Sequence, residues 1–186
     1  MVAPVTEVSD RYGAIADGFA ARLAGVGDDQ WSAPSPCTDW TARDVAHHVI
    51  VTHRRVRASL GDAPAEDLEP GADLAAAWSS ATAAVRSALA DESLASTRVG
   101  GMFGEQPFNA LVGRLLCADT LIHTWDLARA TGQDDRLDAD AAAKALEFLT
   151  PIDEAIRRPG GFAPKLDAPP GADAQTRLLA FAGRAS

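Results

Sequence analysis

Apolar residues recur at three- and four-residue spacing along most of the chain. Val8, Tyr12, Ile15, Phe19 and Leu23 share one face of a helix over about Val5 to Leu23, closed by Gly25 and Gly27. The turn region Trp31-Ser-Ala-Pro-Ser-Pro-Cys-Thr-Asp-Trp40 comes next, and its two prolines forbid a helix interior. A second helix opens at Thr41-Ala-Arg-Asp44. There a hydroxyl is placed to accept from the N3 amide and a carboxylate to reach back, a capping box. It runs to about Leu60, with Val45, Val49, Val56 and Leu60 on its apolar stripe. Gly61 to Gly71 reads as an exposed connection, and an Ala-rich third helix spans about Asp73 to Ala90. The three glycines and β-branched residues of Ser96 to Pro107 predict a short irregular hairpin. A fourth helix starts near Pro107 and ends at Thr131, with Gly132 at the left-handed C′ position. A fifth covers about Ala139 to Ile156. The tail from Arg158 to Ser186 holds one short helix, Asp173 to Ala182.

These elements predict an all-α fold: a four-helix bundle with an additional C-terminal helix and a hairpin-like segment before the fourth helix. At 186 residues the chain reads as one domain, with a core over about 5–158 and an irregular tail, 159–186, packed on the bundle. The balance of 17 basic against 26 acidic residues, net −9, argues against nucleic acid and against an anionic membrane surface as partners. The first ten residues have neither a basic n-region nor an apolar core, and no run of 18 apolar residues exists. Cys37 and Cys117 are 80 residues apart and match no metal or redox spacing. A reduced, cytoplasmic protein is the expectation. The Ala-rich third helix leaves a homodimer open.

The fourth helix carries the informative departure. Its stripe of Phe108, Leu111, Val112, Leu115, Leu116 and Ile122 continues by threes and fours through Asp119, His123 and Asp126. A buried carboxylate is costly unless it is paired or coordinates a metal. Asp119 and His123, four apart, lie one turn apart on one face. On the second helix His48 falls on the stripe with Val45, Val49 and Thr52. His47 shares a face with Asp44 and Arg54, and His53 sits beside Arg54 and Arg55; both read as surface. Two readings of His48, Asp119 and His123 compete: a metal site built from two helices, or a hydrogen-bonded core.

The segment Pro36-Cys-Thr-Asp-Trp-Thr-Ala-Arg-Asp-Val-Ala-His-His48 resembles the second-helix motif of the DinB-like superfamily. Asp119-Thr-Leu-Ile-His-Thr-Trp-Asp-Leu-Ala-Arg-Ala-Thr-Gly132 is similar to the second motif of its mycothiol-dependent maleylpyruvate isomerase branch. Pro159-Gly-Gly-Phe162 and Leu178-Leu-Ala-Phe-Ala-Gly-Arg184 resemble the ending of a group of actinobacterial members. The resemblance implies a bundle that holds one divalent metal through His48, Asp119 and His123. It also implies an S-transferase or isomerase-like enzyme using a small thiol, mycothiol, against an electrophilic substrate. The chain departs in two ways: the carboxylate is commonly Glu where Asp119 stands, and the isomerase has a further C-terminal domain.

Three ligands with an open position are the mark of a catalytic site, and the mixed nitrogen and oxygen set suits Zn²⁺, with Ni²⁺ second. Asp126 is placed either to orient a ligand or to pair with Arg129, the latter preferred. Trp40 and Trp125 flank the site as candidate pocket walls or as core. Cys37, before the second helix, is a candidate reactive thiol; Cys117 reads as a small buried hydrophobe. The rival functions are a metal-dependent hydrolase and a non-enzymatic metal- or ligand-binding bundle.

Overall fold

Burial follows the sequence periodicity closely. In α1 (Val5–Ala24) the five stripe residues Val8, Tyr12, Ile15, Phe19 and Leu23 are all buried. The structure is a computed structural model that describes residues 4–61, 65–100, 104–157 and 161–185. Residues 62–64 of the expected connection, 101–103 of the expected hairpin, and Pro159 and Gly160 of the tail motif lie outside the described residues.

Helix α2 (Ala42–Ala58) begins at the expected capping box. Thr41 is the N-cap, its hydroxyl accepting from the Asp44 amide, while the Asp44 carboxylate accepts from the Thr41 amide at 2.9 Å. The preceding turn is pinned by a bridge between Pro34 and Thr41, and Asp39 takes a left-handed φ of 66°. Helix α3 (Leu74–Ala90) is capped by Asp73. A short helix that periodicity did not disclose, α4 (Glu92–Ser96), starts on an Asp91 cap. Strands β1 (Arg98–Val99) and β2 (Gln106–Pro107) pair antiparallel, Arg98 opposite Pro107 and Val99 opposite Gln106, and form the expected hairpin-like segment.

The expected fourth helix is interrupted by a wide turn. Helix α5 (Phe108–Leu111) leads into a π-helical turn, Val112–Leu116, and then into α6 (Cys117–Thr131). A π-turn inserts an extra residue and so rotates the next helical segment about its axis. Gly113 sits in it because α1 passes close by: a Cβ there would lie 3.1 Å from Val8 Cγ1 and from Arg11 Nη2. Gly132 ends α6 in the left-handed conformation, φ 67°. The expected fifth helix is also split. Pro151 permits only a 3-10 turn, Thr150–Ile152, between α7 (Ala139–Leu149) and α8 (Asp153–Ile156). In the tail, α9 (Ala174–Phe181) starts on an Asp173 cap.

Helices α1, α2, α3 and α6 form the bundle: α1 packs on α3 and α6, and α2 packs on the same two. Helix α7 lies outside, against α6, and α9 against α7. The core between the four helices includes Phe19, Ile50, Trp78, Val85, Leu116 and Ile122. No helix among the described residues is long and apolar enough to cross a membrane.

Because the Thr41 cap starts the helix that carries His48, Thr41→Ala is expected to cost about 1 kcal/mol of stability. Urea denaturation of the two proteins measures it, and an unchanged midpoint would show that tertiary packing alone sets the start of α2.

Candidate metal centre

Helices α2 and α6 face each other, and the polar residues on their apolar stripes meet. His48 Nε2 is 3.1 Å from Asp119 Oδ1, and His123 Nε2 is 3.7 Å from the same oxygen. One ligand atom from each of His48, Asp119 and His123 lies within 4.8 Å of the others. Side-chain exposure falls from 33% at His48 to 13% at Asp119 and 6% at His123, so the trio is entered from the His48 side. The second Asp119 oxygen, Oδ2, is buried and has no hydrogen-bond partner among the described residues. A buried carboxylate oxygen without a donor is costly in a purely hydrogen-bonded core and is what a cation would satisfy. The donor set of two imidazoles and a carboxylate fits a first-row divalent ion.

The electrostatics of the trio are mutual. Burial works against the Asp119 charge, but His48 first and His123 second outweigh it and hold the carboxyl down to about 2. Burial likewise works against a charged His48, and the Asp119 carboxylate overcomes it and raises the imidazole above its ordinary 6.5.

Behind His123 stands a further pair. His123 Nδ1 lies 2.9 Å from Asp126 Oδ2, and Asp126 is also bound by Arg184 through two parallel contacts, Nη2 to Oδ2 at 2.8 Å and Nε to Oδ1 at 3.2 Å. Asp126 is wholly buried. That burial is outweighed by the His123 hydrogen bond and the Arg184 guanidinium, which keep its carboxyl below the usual range. Asp126 therefore does not pair with Arg129. Arg129 points outward to Asp135 at 3.2 Å and lies over the Trp125 ring. Asp126 faces inward because it continues the buried stripe, and i+3 spacing on the helix surface was the weaker constraint.

The trio opens on a cavity of about 370 Å³. Trp40, Leu115, Leu149, Ile156 and Phe162 supply apolar walls, and Cys37 and Arg184 also line it. The Trp40 ring packs on both imidazoles, with centroids 4.8 Å from His48 and 5.7 Å from His123. Trp125, the other candidate wall, is buried on a different face of α6 and does not line this cavity. Burial pushes the Cys37 thiol up, so its position before α2 does not make it a thiolate. Cys117 is buried, its thiol raised to about 11.

Of the other histidines, His47 is on the surface beside Asp67, 3.0 Å away. His53 is not on the surface: it is fully buried between Tyr12 and Trp78, its Nδ1 2.8 Å from the Val49 carbonyl oxygen. Burial pushes its pKa down to about 4, so it is neutral. The flanking arginines obscured a plain signal, since His53 is four residues after Val49 and three before Val56, on the buried stripe. Arg184 carried no sequence signal of its role, because its partner lies 58 residues away.

Residues 12–128 match the family described as mycothiol maleylpyruvate isomerase N-terminal domain. That segment includes His48, Asp119, His123 and Asp126. Two uncharacterized proteins of Mycobacterium tuberculosis, one from strain CDC 1551 / Oshkosh and one from strain H37Rv, are each 36% identical to this chain. Each alignment covers 90% of this chain and 92% of the relative. No solved structure matches the chain significantly. With more than half its length matched, including His48 on α2 and Asp119 and His123 on α6, the chain belongs to the mycothiol maleylpyruvate isomerase N-terminal domain family.

Proposed function

We propose that the protein is a cytoplasmic, mycothiol-dependent S-transferase or isomerase-like enzyme that holds one divalent metal, Zn²⁺ or Ni²⁺, through His48, Asp119 and His123. The observation that carries this reading is a three-ligand cluster with an unpartnered buried Asp119 oxygen, set in the wall of an apolar cavity. A bound cation at such a site supplies the positive charge that lowers a thiol's pKa, so that a thiolate exists at neutral pH to attack an electrophile.

The chain's own residues do the rest. His123 donates its Nδ1 hydrogen to Asp126, which leaves Nε2 as the free lone pair on the cavity side. Trp40 fixes the planes of both imidazoles by packing on their rings. The apolar walls exclude water from the reacting sulfur, and the volume suits a small electrophile together with the thiol end of a larger cosubstrate. Metal-dependent hydrolysis is commonly assisted by a free carboxylate acting as general base. Asp126 is bound by both His123 and Arg184, and no other carboxylate besides Asp119 lines the cavity among the described residues, which favours thiol chemistry over hydrolysis.

Tag-free protein is expected to contain about one zinc or nickel ion per chain by mass spectrometry, lost in His123→Ala. Turnover of a panel of electrophiles is expected to require added mycothiol. Protein that holds no metal and takes up neither Zn²⁺ nor Ni²⁺ would overturn the enzyme reading.

The pH dependence has a defined sign. In the metal-free protein the folded pKa of His48 lies above its unfolded value near 6.5. The stability contributed by the His48–Asp119 pair is therefore fully present below that value and is lost as pH rises through the raised pKa. Metal binding needs the neutral imidazole, so affinity runs the other way. From about pH 6 to about pH 9, Tm without metal should fall while apparent Zn²⁺ affinity rises, and His48→Gln should flatten the Tm trend. A wild-type Tm that stays level would show that the pair contributes nothing.

A further inference from the structure

We infer that the C-terminal segment completes the metal centre: Arg184 is a positioning residue that, through Asp126, sets the ring orientation and tautomer of His123. The inference rests on the proposed metal site at His48, Asp119 and His123, and its clamp, Arg184, lies beyond the segment that matches the family, which ends at residue 128.

The local geometry that delivers Arg184 is specific. Helix α9 is anchored by the buried Leu178 and Leu179 and ends in a left-handed turn at Gly183, φ 77°. The Arg184 amide closes that turn on the Leu179 carbonyl at 2.8 Å. A Cβ at Gly183 would lie 2.7 Å from the Pro164 carbonyl oxygen and 2.8 Å from Ala163 Cβ, so only glycine lets the end of α9 dock against the 163–164 strap. The turn aims the guanidinium inward, where only 5% of the side chain is exposed. Its Nη1 donates to the Ala182 carbonyl at 2.7 Å, which holds the fork, and its Nε and Nη2 take the two oxygens of Asp126.

The consequence runs in one direction along the contacts. A carboxylate held by one imidazole hydrogen bond can rotate; one gripped by a planar two-point fork cannot. Asp126 Oδ2 is then fixed as the acceptor for His123 Nδ1, which selects the tautomer whose Nε2 faces Asp119 and the cavity. Fifty-eight residues separate the clamp from the carboxylate it grips, so the tail acts on His123 through Asp126.

The test uses the full-length protein at fixed pH. Zn²⁺ affinity is measured by competition with a chromophoric chelator for wild type, Arg184→Gln, Asp126→Asn, the double variant and Arg184→Lys. The tautomer of His123 in metal-free protein is read by nitrogen NMR of the imidazole rings, and folding by circular dichroism. Each single loss is expected to weaken Zn²⁺ binding by about 10- to 100-fold. The double variant should be no weaker than the weaker single one, because both act through one contact. Arg184→Lys, which keeps charge without the fork, should recover part of the affinity. The Nδ1–H tautomer should dominate in wild type and lose that dominance in Arg184→Gln.

Unchanged affinity and tautomer in folded Arg184→Gln would overturn the inference, as would losses that multiply in the double variant. If Arg184→Gln does not fold, Arg184→Lys decides: a several-fold loss supports the clamp, and wild-type affinity with an unchanged tautomer removes it. Wild-type protein that binds no Zn²⁺ overturns the metal reading instead, and the tautomer comparison still decides the role of Arg184.

Discussion

Two carboxylates on one helix, Asp119 and Asp126, lie in the interior of a helical bundle, and the site is arranged around compensating their charge. Each is answered from a different part of the chain. Asp119 receives His48 from α2 and His123 from its own helix. Asp126 receives His123 and the two-point grip of Arg184 from the tail. Leaving either uncompensated costs several kcal/mol, on the order of a substantial part of a domain's net stability. The fold is thus tied to the site: α2, α6 and the C-terminal segment converge on one buried polar cluster. The second Asp119 oxygen is left without a hydrogen-bond partner among the described residues.

The scaffold places these groups by ordinary local means. The capping box at Thr41 starts α2 so that His48 falls on its inward stripe. The π-turn at Val112–Leu116 resets the face of the helix after it, and Leu115, Ala118 and Asp119, within or just beyond that turn, all line the cavity. Trp40, from the turn before α2, covers both imidazoles. Phe162 and Arg184 line the cavity from the tail. Helices α2 and α6 carry His48, Asp119 and His123, while the turn before α2 and the tail supply Trp40, Phe162 and Arg184 to the cavity wall.

Much of this was legible in the chain itself. Helical spacing located five long segments, and the capping box at Thr41 marked the start of the second to within a residue. The continuation of the apolar stripe through Asp119, His123 and Asp126 singled out buried polar groups, because periodicity reports which face is buried whatever occupies it. The same logic would have found His53, had its arginine neighbours not been weighed above its spacing from Val49. The family was legible as well, from two motifs that lie on the two facing helices.

Other features depended on contacts between distant segments. Periodicity does not reveal an extra residue inserted in a turn, so the helix from Pro107 read as continuous. Asp126 had two candidate roles, orienting a ligand one turn away or pairing with Arg129, and it meets His123 rather than Arg129 because burial turned it inward, away from solvent-facing Arg129. The assignment of Trp40 to the cavity and of Trp125 to another face came from how α2, α6 and the preceding turn pack. The sequence by itself determined the long helical segments, the inward polar stripe of Asp119, His123 and Asp126 with His48, and the family, since these depend on spacing and local chemistry. Only the tertiary structure decided which buried charge meets which, because pairing across 58 residues depends on where the tail folds back, and no local pattern encodes that distance.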